Sequence, residues 1–389
     1  MSLSGARPWP FRTKLGRLAL PPERMRLWAI AIAIIGLVPI DTAVANGGSD
    51  WPAFWSAGAT VGTVDLVDTA RHGMWQVAHG LPADFFAYPA PVAYFWWPFA
   101  LLPIQLGFVV NTVLMLALVA VAAWFLTRVF DLSPEVALLV AFAWAPATAP
   151  SIMGQNATLA VVLALWAIDA LRRERSLEAG LACGLLMYKP TLALPLVGLL
   201  FLRFRWRELT IVAMVLMAGY VVGVVAAAGD FGWPAMWWTQ LQPQVAHNLA
   251  GNADKAVSVP GVLGRIPGIP WWMPDLVAGA IVILSLRGLI RAPIAEAGAA
   301  ACLLALAVGP RVWGYEAGLM LPILAWAIAG GLAEPWRTRL VVLAVPCGLF
   351  WLVSYFTVIS LVAGVVAVAT AMWLWRWRPW GPDPAAVVG

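Results

Sequence analysis

Apolar runs long enough to enter a lipid bilayer recur along this chain, and clusters of arginine interrupt them at every second break. That pattern constrains the fold more than any motif does. Hydrophobic residues make up 62% of the 389 residues and charged residues only 11%, with a mean hydropathy of +0.84. A soluble domain of this length has far more charge, so the chain reads as an all-α polytopic membrane protein. Spans are expected near 27–45, 105–127, 135–151, 157–171, 178–188, 190–202, 209–227, 275–290, 294–309, 317–332, 339–353 and 357–374. With the N-terminus inside, 19 of the 24 basic residues then fall on the cytoplasmic side, as the positive-inside rule requires. About twelve spans with both termini cytoplasmic is the expected topology. It gives a basic N-terminal segment 1–26, a single transmembrane domain 27–375 and a cytoplasmic tail 376–389.

Several details qualify that topology. The segments 178–188 and 190–202 are too short for separate full spans at about 1.5 Å per residue, so a helical hairpin broken at Lys189-Pro190 is expected. The segment 90–102 begins and ends outside and should be re-entrant or interfacial, packed against protein. Ala43-Val44-Ala45 before Asn46 resembles a signal-peptidase site, but the long basic lead and the span length favour an anchor. Cys183, Cys302 and Cys347 all lie in apolar runs and read as small core residues.

The chemistry is expected on the outer face. Two outer loops, 46–89 and 229–273, hold all three histidines (His72, His79 and His247) and most of the outer acidic residues. Asp50, in Ser49-Asp50-Trp51-Pro52-Ala53-Phe54-Trp55, places a carboxylate among aromatic rings at the mouth of the membrane. A surface Asp is normally solvated and inert; one at the top of a membrane cavity is a candidate proton acceptor. Trp51 and Trp55 read either as part of an interfacial belt or as platforms for sugar rings. Met153-Gly154-Gln155-Asn156 caps two spans, and Gly309-Pro310-Arg311-Val312-Trp313-Gly314-Tyr315-Glu316 is a tight turn bearing both signs of charge. Tyr188-Lys189-Pro190 puts an ammonium in the membrane. An intramembrane charge costs about 2.5–3.5 kcal/mol on insertion scales, so it is either snorkelling or holding an anion, for which a lipid phosphate is the obvious candidate.

The chain has no Rossmann or P-loop glycine turn, no Asp-x-Asp pair and no His, Cys and carboxylate set at metal-ligand spacing. A nucleotide, metal or nucleic-acid partner is therefore not expected, and no cofactor. A sugar donor used on the outer face would have to come through the membrane on a lipid phosphate.

Four stretches, in order, resemble glycosyltransferase family 87, the polyprenyl-phosphate-mannose-dependent α-mannosyltransferases of the GT-C superfamily, some of which extend phosphatidylinositol mannosides. They are Asp50 to Gly58; Tyr88-Pro89-Ala90-Pro91 through Trp97-Pro98 to Pro103; Gly154-Gln155-Asn156 through Ala179-Gly180 to Tyr188-Lys189-Pro190; and Pro310 to Tyr315-Glu316 before Leu321-Pro322. Asn252 to Leu263 resembles the family's Asn/Ser-Leu loop. The family more often has Tyr-Asp at Tyr315-Glu316, and Pro at Ala90.

The resemblance implies a GT-C fold with amphipathic helices in the first outer loop. It also implies a plasma-membrane enzyme with its active site outside, moving a sugar from a polyprenyl-phosphate lipid to a glycolipid or lipoglycan acceptor by an inverting transfer. Asp50 is then the general base. Lys189, with Arg311 or His247, would hold the donor phosphate. Trp51, Trp55, Tyr88, Gln155, Asn156, Tyr315 and Glu316 would contact sugar or acceptor. The competing class is a twelve-span transporter or lipid flippase, which the lack of a matched repeat after span seven argues against.

Overall fold

A computed structural model describes residues 48–251, 255–309, 312–331 and 355–377, with the side chains of 244–251, 331 and 355–361 excepted. The expected spans at 27–45 and 339–353 lie outside the described residues. Those residues form sixteen α-helices and no β-strand; the one bridge pairs Ala256 with Trp313.

The stretch from Trp51 to Ala100 folds as three short helices: α1 (Trp51–Ala59), α2 (Thr69–Ala78) and α3 (Ala93–Ala100). Helix α1 crosses α3 closely, because Gly58 lies against the Trp96 backbone, where a Cβ would come within 2.6 Å. Helix α2 is capped by Asp68, whose side chain accepts from the N–H groups of Ala70 and Arg71, satisfying two orphan donors of its first turn. It turns His72 and Gln76 inward and leaves Met74 and Val77 exposed, an arrangement suited to a lipid interface and opposite to that of a soluble helix. Helix α3 and the Leu101–Pro103 turn occupy the segment expected to be re-entrant: Ala93 and Trp96 are buried, and Trp97 and Leu101 stay exposed.

The long helix α4 (Ile104–Phe130) follows. Its 27 residues span roughly 40 Å at about 1.5 Å each, enough to cross a bilayer with tilt. Next come α5 (Pro134–Ala143) and α6 (Ala145–Met153), which make a pair bent by 57° where the sequence suggests one straight span at 135–151. Trp144 leaves helical geometry at the bend, Pro146 follows in the first turn of α6, and the Trp144 indole N–H donates to Ala317 O at 2.7 Å. Helix α7 (Ala157–Arg172) runs through the core. As the Lys189-Pro190 break predicts, α8 (Ser176–Leu186) and α9 (Pro190–Leu202) are separate short helices joined at Tyr188-Lys189.

Helix α10 (Trp206–Ala226) packs on α8 through Gly180 and Gly184, where a Cβ would come within 2.6 Å of Ile211 and 2.7 Å of Val215; small residues spaced by four let membrane helices approach this way. Helices α11 (Trp233–Gly251) and α12 (Val259–Leu263) fall in the stretch 229–273, expected to be a loop. Then come α13 (Met273–Arg291), α14 (Ile294–Val308), a 3-10 turn over Gly314–Met320 leading into α15 (Leu321–Trp326), and α16 (Tyr355–Arg376).

Among the described residues, three helices are long and apolar enough to cross a membrane (α4, α10 and α13), or four with the bent pair, beside further apolar helices of 10–17 residues. The chain is a helical protein of membrane character. Several arginines gather at one end of the long helices. Arg128 and Arg173 both meet the buried carboxylate of Asp169 (2.6 and 3.0 Å), Arg203 donates to Leu289 O and Ala292 O, and Arg376 pairs with Glu296 at 2.9 Å. Helix α7 ends in that cluster and starts about 24 Å away, beside Gln155 and Asn156.

Candidate active site

The start of α1 sets the first element of the site. An Asp in the position before a helix usually caps it, yet Asp50 makes no side-chain cap bond to α1. Its backbone N–H donates to Met153 O at 3.1 Å, and its carboxylate Oδ2 accepts a short hydrogen bond from Gln155 Nε2. The turn that carries Gln155 depends on Gly154, which adopts a left-handed φ of +76°; a Cβ there would lie 2.7 Å from Trp51 Cβ. Glycine is therefore required both for the dihedral and for the close approach to α1.

Tyr88 closes the network from above. Its hydroxyl lies 3.4 Å from Gln155 Oε1 and 3.2 Å from Asn156 Oδ1, and donates to these two acceptors. Burial, followed by the charges of Glu316 and Asp50, holds its phenol well above the usual value, so it stays a neutral donor. The Tyr188 hydroxyl donates to Asn156 O at 2.8 Å, and the two tyrosine rings stack at 6.1 Å.

Lys189 sits at the hairpin break rather than snorkelling outward. Its side chain is 6% exposed, and its Nζ lies 3.1 Å from Glu316 Oε1, over the Tyr88 and Tyr315 rings at 5.6 and 5.4 Å. Glu316 Oε2 in turn accepts the Trp313 N–H at 3.0 Å, which ties the carboxylate to the 3-10 turn that carries it. Asn156 Nδ2 is buried and has no hydrogen-bond partner among the described residues. A buried orphan donor costs about 1–3 kcal/mol, a cost that an oxygen of a bound ligand would remove.

Asp50, Tyr88, Gln155, Asn156, Lys189, Tyr315 and Glu316 thus form one connected cluster. Tyr188 joins it although the sequence singles out only its neighbour Lys189; the Tyr188-Lys189-Pro190 motif was the available signal. Trp51 and Trp55 do not join. Trp51 is fully buried, its indole N–H donates to Ile104 O at 2.9 Å, and Trp96, Phe99 and Phe108 surround its ring. Trp55 donates to Leu102 O at 3.1 Å. Both indoles pin α1 to the α3–α4 turn, and Trp51 presents no open face to a sugar. Arg311 and the His247 side chain lie outside the described residues.

His72 is buried with Nε2 2.9 Å from Ser56 Oγ rather than on a member of the cluster, and exposed His79 stacks on Trp75 at 3.8 Å. Among the described residues no three His, Cys, Asp or Glu side chains gather as a metal site requires.

No match to the chain is found among curated proteins or solved structures. The family model of glycosyltransferase family 87 matches residues 86–313, a stretch that covers more than half of the chain and contains Tyr88, Gln155, Asn156, Tyr188 and Lys189. The chain belongs to glycosyltransferase family 87.

Proposed function

We propose that this membrane glycosyltransferase moves a sugar, mannose by the family resemblance, from a polyprenyl-phosphate donor to a glycolipid or lipoglycan acceptor at the outer face of the plasma membrane. The fold that goes with this reading is a single GT-C transmembrane domain over 27–375, with about twelve spans and both termini inside. The observation that carries it is the meeting of a carboxylate left free of helix capping, Asp50, with a buried ammonium, Lys189, through one network of Gln155, Asn156, Tyr88 and Glu316.

The acceptor hydroxyl gives its proton to Asp50 as its oxygen forms a bond to C1 of the donor sugar. On the opposite face the bond from C1 to the phosphate oxygen breaks, its electron pair leaving with the polyprenyl phosphate and the configuration inverting. General-base help of this kind is worth about 10²–10⁴-fold. Lys189 stands for the charge that offsets the leaving phosphate, and Arg311 and His247 are its proposed helpers. Glu316 balances the Lys189 ammonium at 3.1 Å; in this reading the phosphate takes up its remaining N–H groups, in a buried setting where water screens the pairing little. Asn156, Tyr315 and Glu316 supply hydroxyl contacts; the orphan Asn156 amide suits that role.

Membranes containing the protein, incubated with labelled polyprenyl-phosphate-mannose and octyl α-mannoside, are expected to yield a labelled glycosidic product that control membranes lack. Hydrolysis or translocation of the donor without such a product would overturn the reading in favour of another activity.

A further inference from the structure

Gln155 is held at both ends of its amide. Nε2 donates to Asp50 Oδ2 and Oε1 faces the Tyr88 hydroxyl. The reverse placement would set a carbonyl oxygen against a carboxylate oxygen, two acceptors with no hydrogen between them, so the Asp50 contact fixes which end is which. The side chain is buried, and among the described residues it is the only side chain that donates to the Asp50 carboxylate. A second N–H and a second lone pair are left over, but the orientation of the amide is set by Asp50 and Tyr88.

We propose that Gln155 is a positioning residue for Asp50. It holds Oδ2 so that Oδ1 is the oxygen turned to the acceptor hydroxyl, and Tyr88 keeps the amide in that sense. The inference rests on Asp50 being the general base. Its chemistry is simple. A carboxylate on a single rotatable bond takes several orientations, and a proton transfer needs a heavy-atom separation of about 2.6–3.2 Å. One charge-assisted hydrogen bond to a fixed donor selects the productive orientation. The 105-residue separation of Asp50 and Gln155 means that no local rule supplies this contact; the Gly154 turn does.

The test is steady-state transfer by the full-length protein from polyprenyl-phosphate-mannose to octyl α-mannoside, with Gln155→Ala, Gln155→Glu and Tyr88→Phe. Gln155→Ala is expected to lower kcat by about 10–100-fold with KM for both substrates within about twofold. Gln155→Glu keeps the shape and replaces the donor with an anion, so it is expected to be at least as slow. Tyr88→Phe is expected to lower kcat less and in the same direction, and covers the case in which the Gln155 variants fold poorly.

In a D50N background, adding Gln155→Ala is expected to cost nothing further, because a positioning residue acts only through its base. Wild-type rate in Gln155→Glu, a loss confined to KM, or a full additional loss in the D50N background would each overturn the proposal. D50N itself transferring at the wild-type rate would instead sink the role of Asp50 as base.

Discussion

Lys189 and Glu316 form an ion pair at 3.1 Å although 127 residues separate them in the chain, and their side chains are 6% and 8% exposed. Removing one member of such a pair leaves a buried charge without compensation, which costs about 3–5 kcal/mol, whereas replacing both with apolar groups is often neutral. Glu316→Leu and Lys189→Met are therefore expected to lower stability severely as single changes and much less together, while all three variants lose transfer. Chemical denaturation in detergent measures this. Stability losses that add in the double variant would show that the two side chains are not coupled.

Gly154→Ala tests the turn that brings Gln155 to Asp50. The φ of +76° alone costs a non-glycine residue about 1–2 kcal/mol, and the new Cβ would sit 3.0 Å from Trp51 N, pushing on the backbone of α1. Gly62 is a control: its φ is +81° and a Cβ there meets nothing within 4 Å. Both Ala variants are expected to lose similar intrinsic backbone stability, but only Gly154→Ala should lose transfer, by about tenfold or more. Equal transfer rates in the two variants would contradict the assigned role of the turn.

Asp169 anchors the other end of the bundle. Its carboxylate is 2% exposed and meets Arg128 at 2.6 Å and Arg173 at 3.0 Å. Asp169→Asn is expected to destabilise by about 1–3 kcal/mol by removing two charge-assisted hydrogen bonds; the loss is limited because Arg128 and Arg173, 24% and 43% exposed, can be solvated instead. Because α7 places this cluster about 24 Å from the site, transfer per folded molecule should be unchanged. Thermal unfolding together with the rate at matched folded fraction checks both parts; a rate loss with stability intact would contradict this division of roles.

The sequence makes the helices and the membership of the site readable. Hydrophobic length and arginine placement give each break in the chain an expected side, and the motifs of the family resemblance pick out Asp50, Tyr88, Gln155, Asn156, Lys189 and Glu316 among the breaks expected on one side. Their pairings could not be read. Lys189 reads as an open phosphate ligand because nothing local points to Glu316. Gln155 reads as a sugar contact because its partner lies across the Gly154 turn. Trp51 reads as a possible sugar platform because α1 is apolar on every side, so no periodicity distinguishes its buried face. The bend between α5 and α6 is invisible to hydropathy, although Ala145-Pro146 is a helix-boundary signal beside the Trp144 indole that reaches Ala317 O.

His72 gives the packing of α1 on α2 a pH dependence. Burial lowers its pKa from 6.5, with the backbone and charge of Asp65 opposing in part. The unfolded chain therefore binds more protons than the folded one as pH falls below about 6.5, so stability is fully present above that value and declines below it until the folded imidazole also titrates. His72→Gln should flatten stability across this acidic window. Equal slopes for wild type and variant between about pH 6.5 and 5 would remove His72 as the cause.

Asp50→Asn keeps the shape of the carboxylate and removes its capacity to take a proton, so transfer from polyprenyl-phosphate-mannose by the purified protein tests the central claim most directly. With the fold intact by thermal unfolding, kcat is expected to fall by about 10²–10⁴-fold. Transfer by Asp50→Asn at close to the wild-type rate would contradict it.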